Sequence, residues 1–148
     1  MTIGVYEASD EAAVIDLWRR CGLVVPQNNP REDIRRKVAD SPELFLVGKA
    51  GAEVVATVMA GYDGHRGWVN YLAVAPHLQR GGHGRAIMAH AEELLRRRGC
   101  AKINLQVRST NERVIAFYRR IGFSIDEVAS MGKRLVVDTP LEDGEQKA

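Results

Sequence analysis

The stretch that most restricts what this chain can fold into is Gln79-Arg80-Gly81-Gly82-His83-Gly84-Arg85. It follows an apolar, strand-like run, Trp68–Val74, closed by Pro76. It precedes a run with helical spacing, Ile87, Met88, Ala91, Leu94 and Leu95, stopped by Gly99. A strand, a glycine-rich turn and a helix in that order fit few architectures. Glycines let a backbone approach an anion closely, and a helix start offers unpaired N–H groups with partial positive charge. The stretch therefore reads as a cradle matched to a pyrophosphate. The competing reading is a tight turn that only lets the helix pack on the sheet. The GxxxxGK[ST] and GxGxxG nucleotide-binding patterns are both absent.

The same pattern logic extends along the chain. Strands are predicted at Thr2–Tyr6, Leu44–Lys49, Glu53–Tyr62, Trp68–Val74, Lys102–Val107, Phe123–Val128 and Lys133–Val137. A first helix carries Val14, Leu17, Trp18 and Cys21 and ends at Gly22. A second, shorter helix carries Ile34 and Val38, and the third follows the glycine turn. A fourth spans Asn111–Ile121 with the stripe Val114, Phe117, Tyr118 and Ile121. Helices interleaved with strands predict a mixed α/β sheet with helices covering it. At 148 residues the expectation is one domain over residues 1–139, with a polar, disordered tail over 140–148.

Composition removes several functions. Lys and Arg number 21 against 19 Asp and Glu, a net charge of +2, and the basic runs lie on or beside helices as solvated faces. No nucleic-acid partner is expected from that balance. The N-terminus has no basic, apolar leader, and no apolar stretch is long enough to span a bilayer, so no membrane partner is expected. Cys21 and Cys100 stand apart with no CxxC pair, which suits free thiols in a reducing, cytoplasmic setting. The four histidines form no metal-ligand spacing, so no metal is expected.

Three ordered matches carry a family resemblance. Gln79-x-x-Gly82-x-Gly84 fits a Q/R-x-x-G-x-G/A signature. Asn70-Tyr71-Leu72-Ala73-Val74 precedes it. Val107-Arg108-Ser109-Thr110-Asn111 and then Ala116-Phe117-Tyr118-Arg119-Arg120-Ile121-Gly122-Phe123 follow it as an "N…A…FY…GF" segment. In these the chain resembles the GNAT family of N-acetyltransferases from Thr2 to about Val137. It is most similar to small bacterial acetyltransferases of the YpeA type and more distantly to those of the RimI type. The resemblance implies a mixed, mostly antiparallel seven-stranded sheet flanked by about four helices. It also implies acetyl-CoA as cosubstrate, an amine acceptor (a protein N-terminus or a small molecule), direct attack in a ternary complex, and a dimer as a common assembly.

The resemblance also assigns residues. Arg80, Gly81, Gly82, His83, Gly84 and Arg85, introduced by Gln79, would wrap the pyrophosphate. The main chain of Leu72, Ala73 and Val74 would pair with the pantetheine amides as an added strand does. Asn111 would touch the cofactor arm, and it is equally suited to cap its helix. Tyr118 would protonate the leaving thiolate; by helical periodicity alone it is a core aromatic. RimI-type enzymes carry a Glu base where this chain has Gln106, and an amide cannot take a proton. Tyr62 and His65, in the Tyr62–Gly67 turn, and Gln106 are the candidate substrate-side residues. The loop Val24–Pro30 is a candidate acceptor wall. The alternative is an acyl-CoA-binding module that keeps the cradle and has lost the base.

Overall fold

The computed structural model of the chain describes residues 1–141. Its elements run β1 (Thr2–Val5), α1 (Glu11–Arg20), α2 (Pro30–Asp40), β2 (Phe45–Ala50), β3 (Glu53–Tyr62), β4 (Gly67–Val74), α3 (His83–Arg97), β5 (Ile103–Asn104) and α4 (Glu112–Arg120). One sheet holds the strands in chain order, β1 to β5. The first three pairings are antiparallel and β4–β5 is parallel.

The central strands are buried on both faces, and their sequences show it as unbroken apolar runs rather than alternation. Phe45, Val47, Val55, Met59 and Ala73 pack with Val14, Leu17 and Trp18 of α1 and Ile34 of α2. Their neighbours Leu46, Ala56, Val58, Ala60 and Val69 point the other way, onto Ile87, Met88, Ala91 and Leu95 of α3 and Tyr118 of α4. Period two along the strands thus divides the interior into two cores.

Two of the seven expected strands form no ladder among the described residues, so the sheet has five. The run 123–131 lies beside β5, but side chains join them. Lys102 Nζ and Asn104 Nδ2 donate to Asp126 at 2.8 and 3.0 Å, and Gln106 Nε2 donates to Ser130 Oγ. The run 133–137 leaves that side altogether. Arg134 reaches Asn28 at 2.7 Å, and the Asp138 carboxylate accepts from the Asn29 N–H at 3.2 Å and pairs with Arg36. Asn29 Nδ2 completes the anchor on the Thr139 carbonyl at 2.7 Å. The apolar side chains of these two runs are left outside, with Val128, Leu135 and Val137 at 78, 86 and 84% exposure. Leu141 packs against the core under α1. The expected polar tail lies outside the described residues from residue 142 onward.

Candidate active site

The strands β4 and β5 meet only at Gly67–Ile103 and Trp68–Asn104. Beyond that point β4 runs on to Val74 with no strand beside it on this edge among the described residues. Its main-chain groups there are open to an extended ligand that can supply the missing ladder. At the far end the Val74 carbonyl accepts from Gln79 Nε2 at 3.1 Å and from Cys21 Sγ at 3.3 Å. Gln79 therefore ties the glycine turn to the end of the strand.

The turn itself is built from two left-handed residues, Arg80 at φ 67° and Gly82 at φ 85°. Gly82 is the N-cap of α3, and no side chain caps that end. The first turn-closing bond runs from the Ala86 N–H to the Gly82 carbonyl at 3.0 Å. The N–H groups of His83, Gly84 and Arg85 are thus left without a helical partner, at the positive end of the helix dipole. By contrast Asn29 caps α2, and Asn111 Oδ1 accepts from the Val114 N–H at 3.4 Å to cap α4. Gly84 has a different duty from Gly82. A Cβ there would stand 3.2 Å from Phe117 Cζ and 3.5 Å from Val74 Cγ2, so its missing side chain lets α3 close on α4 and β4.

Tyr118 is buried between Phe117 and Phe123, edge-on to both at centroid distances of 5.2 and 5.5 Å. Among the described residues its hydroxyl makes no hydrogen bond. The side chain lines a cavity of about 970 Å³ shared with Trp68, Leu105, Gln106, Ser130 and Met131. Burial pushes its phenol up to about 12, so the proton stays on oxygen at any physiological pH.

The middle of β4 carries a bulge. Ala73 and Asn70 face Thr57 and Met59 of β3, so two residues, Tyr71 and Leu72, stand against the single Val58. Tyr71 sits at φ 51°, and besides Arg80 it is the sole non-glycine residue with positive φ among the described residues. Three neighbours hold it. Thr57 Oγ1 donates to its carbonyl at 2.9 Å, the Trp18 ring stacks on it at 3.9 Å, and its hydroxyl donates to Asp33 Oδ2 at 2.6 Å. Burial and that contact to Asp33 both raise the Tyr71 phenol far above the ordinary range.

The structure brings together Leu72, Ala73, Val74 and the segment Gln79–Arg85, with α4 packed on Gly84 through Phe117. Tyr62 and His65 are set apart from them. Gly67, at the other end of β4, pairs with Tyr62, and His65 is exposed in the turn that joins β3 to β4. Six residue steps along the strand separate Trp68 from Val74, roughly 20 Å. Sequence reasoning missed Thr57, Trp18 and Asp33 as a group, because no local signal marks a bulge held by three separate elements. Cys21, three residues after Trp18 and so on the same helix face, was detectable by spacing. No group of His, Cys, Asp or Glu that could hold a metal occurs among the described residues. No helix among them is long and apolar enough to cross a membrane.

Residues 11–123 match the model of the acetyltransferase (GNAT) family. An acetyltransferase of Yersinia enterocolitica is 43% identical over 138 residues, 93% of this chain and 98% of that one. One of Sodalis glossinidius is 45% identical over 139 residues, with the same coverage. Among solved structures, the ribosomal-protein-S18-alanine N-acetyltransferase of Escherichia coli superposes with a TM-score of 0.68 at 25% identity, covering 83% of this chain and 77% of its own. Ard1 of Thermoplasma volcanium superposes with a TM-score of 0.72 at 24% identity, over 84 and 83% of the two chains.

Proposed function

The chain belongs to the acetyltransferase (GNAT) family and is an acyltransferase, and from that premise we propose that it moves an acetyl group from acetyl-CoA to a primary amine. The observation that carries the proposal is the parting of β4 from β5, with the uncapped start of α3 packed on the end of the same strand. An open strand edge suits the amide-bearing pantetheine arm, and free N–H groups at a helix start suit its pyrophosphate. Leu72, Ala73 and Val74 hold the arm in this reading, and Arg80 to Arg85 hold the phosphates. Asn111, with its oxygen engaged in the cap, has its amide nitrogen left for the arm.

Acetyl-CoA supplies the activated acyl group; the chain supplies alignment and protons. Tyr118 donates to the thiolate as it leaves. Gln106, occupied with Ser130 and unable to take a proton, orients rather than deprotonates. The amine must then arrive neutral. An α-amino group, with a pKa of about 7.7–8.0, meets that condition near pH 7 far better than a lysine at about 10.4. The likeness to the S18-alanine N-acetyltransferase supports the same acceptor class, a protein or peptide N-terminus. The acceptor enters where the loop over residues 24–30 meets residues 134–139, beside Asp33 and Tyr71.

The test uses Gly82→Asp with Gly82→Asn as control. A Cβ at Gly82 meets no atom within 4 Å, and Asp and Asn both tolerate a left-handed backbone. The aspartate would place its own carboxylate on the free N–H groups of α3 and exclude the pyrophosphate. At a hundredfold excess over Kd, acetyl-CoA should stabilise the parent by about 2.7 kcal/mol. In Gly82→Asp that stabilisation should vanish while the free protein melts normally; Gly82→Asn should keep part of it. The parent should also acetylate N-terminal peptides faster than blocked peptides offering only lysine. An absence of any acetyl-CoA effect on the parent melting curve rejects the proposal.

A further inference from the structure

We propose that Thr57 is a positioning residue for acetyl transfer, acting through the Tyr71 carbonyl to aim the Leu72 N–H at the thioester oxygen. The inference rests on the acetyl-CoA reading above and adds to it the residue that sets the oxyanion donor. Thr57 is fully buried on β3. Its hydroxyl accepts from Trp18 Nε1 at 2.8 Å. An indole nitrogen can only donate, so the Thr57 proton is left for another acceptor, and it goes to the Tyr71 carbonyl at 2.9 Å. The direction of the chain of bonds is therefore fixed from Trp18 through Thr57 to Tyr71.

A trans peptide points its C=O and N–H in opposite directions. With the Tyr71 carbonyl drawn toward Thr57 and the core under α1, the Leu72 N–H of the same peptide points to the other face of the sheet. That is the face on which Leu72, Val74 and Tyr118 share a core. Tyr71 and Leu72 are the two bulge residues with no partner in the β3 register, and the β5 ladder has already ended at Trp68. The Leu72 N–H thus lies outside the regular register with β3 and beyond the end of the β5 ladder, and it faces the side from which Tyr118 would protonate the leaving group. The stacked Trp18 ring and the Asp33 contact keep Tyr71 at its left-handed φ, so the peptide cannot swing back into the ladder.

The experiment compares the parent, Thr57→Val, Thr57→Ser and Trp18→Phe with one N-terminal peptide. Valine keeps the shape of threonine and removes the hydroxyl; serine keeps the hydroxyl. Expected for Thr57→Val is a fall in kcat of at least tenfold with KM for acetyl-CoA and Kd for coenzyme A within twofold of the parent, and recovery in Thr57→Ser. Loss of one oxyanion donor typically costs about 10²–10³ in kcat, which bounds the effect. Infrared spectra of bound acetyl-CoA give a second reading. The thioester carbonyl band, lowered by a hydrogen-bond donor, should return toward its free frequency in Thr57→Val and not in Thr57→Ser. Should Thr57→Val fail to fold, Trp18→Phe carries the test, since it removes the indole donor, keeps a stacked ring, and should lower kcat with coenzyme A affinity retained. Equal kcat in parent and Thr57→Val, equal impairment of the valine and serine variants, or a loss of coenzyme A affinity in step with kcat overturns the assignment of Thr57. A parent inactive with acetyl-CoA overturns the functional reading itself and the assignment with it.

Discussion

At the scale of single residues, Tyr118 and Asp138 show how burial decides chemistry. The Tyr118 side chain lines a cavity and its hydroxyl has no hydrogen-bond partner among the described residues, while its ring is gripped by two phenylalanines. Tyr118→Phe should leave the packing and the acetyl-CoA affinity unchanged and lower kcat, by a factor within the usual 10²–10⁴ for a general acid, measured under conditions where chemistry limits turnover. Asp138 is buried at the foot of the C-terminal run. The Arg36 hydrogen bond and the Asn29 N–H hold its carboxyl below the usual carboxylate range. The folded chain therefore keeps Asp138 ionised at a pH where the unfolded chain protonates it. That stabilisation is complete above the unfolded value of about 3.9 and is lost as the pH falls through the lower folded value. Urea midpoints taken between pH 6 and pH 3 should fall less steeply on the acid side in Asp138→Asn than in the parent.

At the scale of elements, the packing of α3 on α4 turns on one absent side chain. Gly84→Ala places a Cβ 3.2–3.3 Å from the Phe117 ring and should destabilise by about 1–3 kcal/mol, read as a lower denaturant midpoint at unchanged slope. Phe117→Leu in that background should recover part of the loss. This packing role was hidden in the sequence, where Gly82 and Gly84 look alike; only the fold separates a glycine needed for its φ from one needed for its size. The elements themselves were readable wherever their cause is local. Helix spacing and glycine stops placed α1, α3 and α4, helix spacing alone placed α2, and apolar runs placed β1 to β4 to within a residue or two. Residues 123–137 have the composition of strands, but a ladder also needs an edge to pair with, and here Asn28, Asn29 and Arg36 draw the chain elsewhere. The bulge at Tyr71 was unreadable for the same reason, since its cause lies on β3, α1 and α2. Of the candidate site, the strand and glycine turn were legible; the distance of Tyr62 and His65 from them followed only from the β3–β4 register.

At the scale of the whole molecule, two pairs join β4 to β5, and beyond them β4 runs about 20 Å to Val74, held by β3 on its other side. The junction is tight. A Cβ on Gly67 would stand 2.8 Å from Cys100 Sγ, 3.2 Å from Leu95 Cδ1 and 3.3 Å from Ile103 Cγ1. Gly67→Ala must therefore shift Cys100, Leu95 or Ile103, and with them the seat of β5 against β4. The variant should bind acetyl-CoA more weakly by calorimetry, although Gly67 lies at the end of β4 remote from every atom assigned to the cofactor. Cys100→Ala should restore both the room and the affinity. On this reading the width of the opening beside β4 depends on the clearance around one hydrogen atom at Gly67, a place remote from the proposed cofactor contacts.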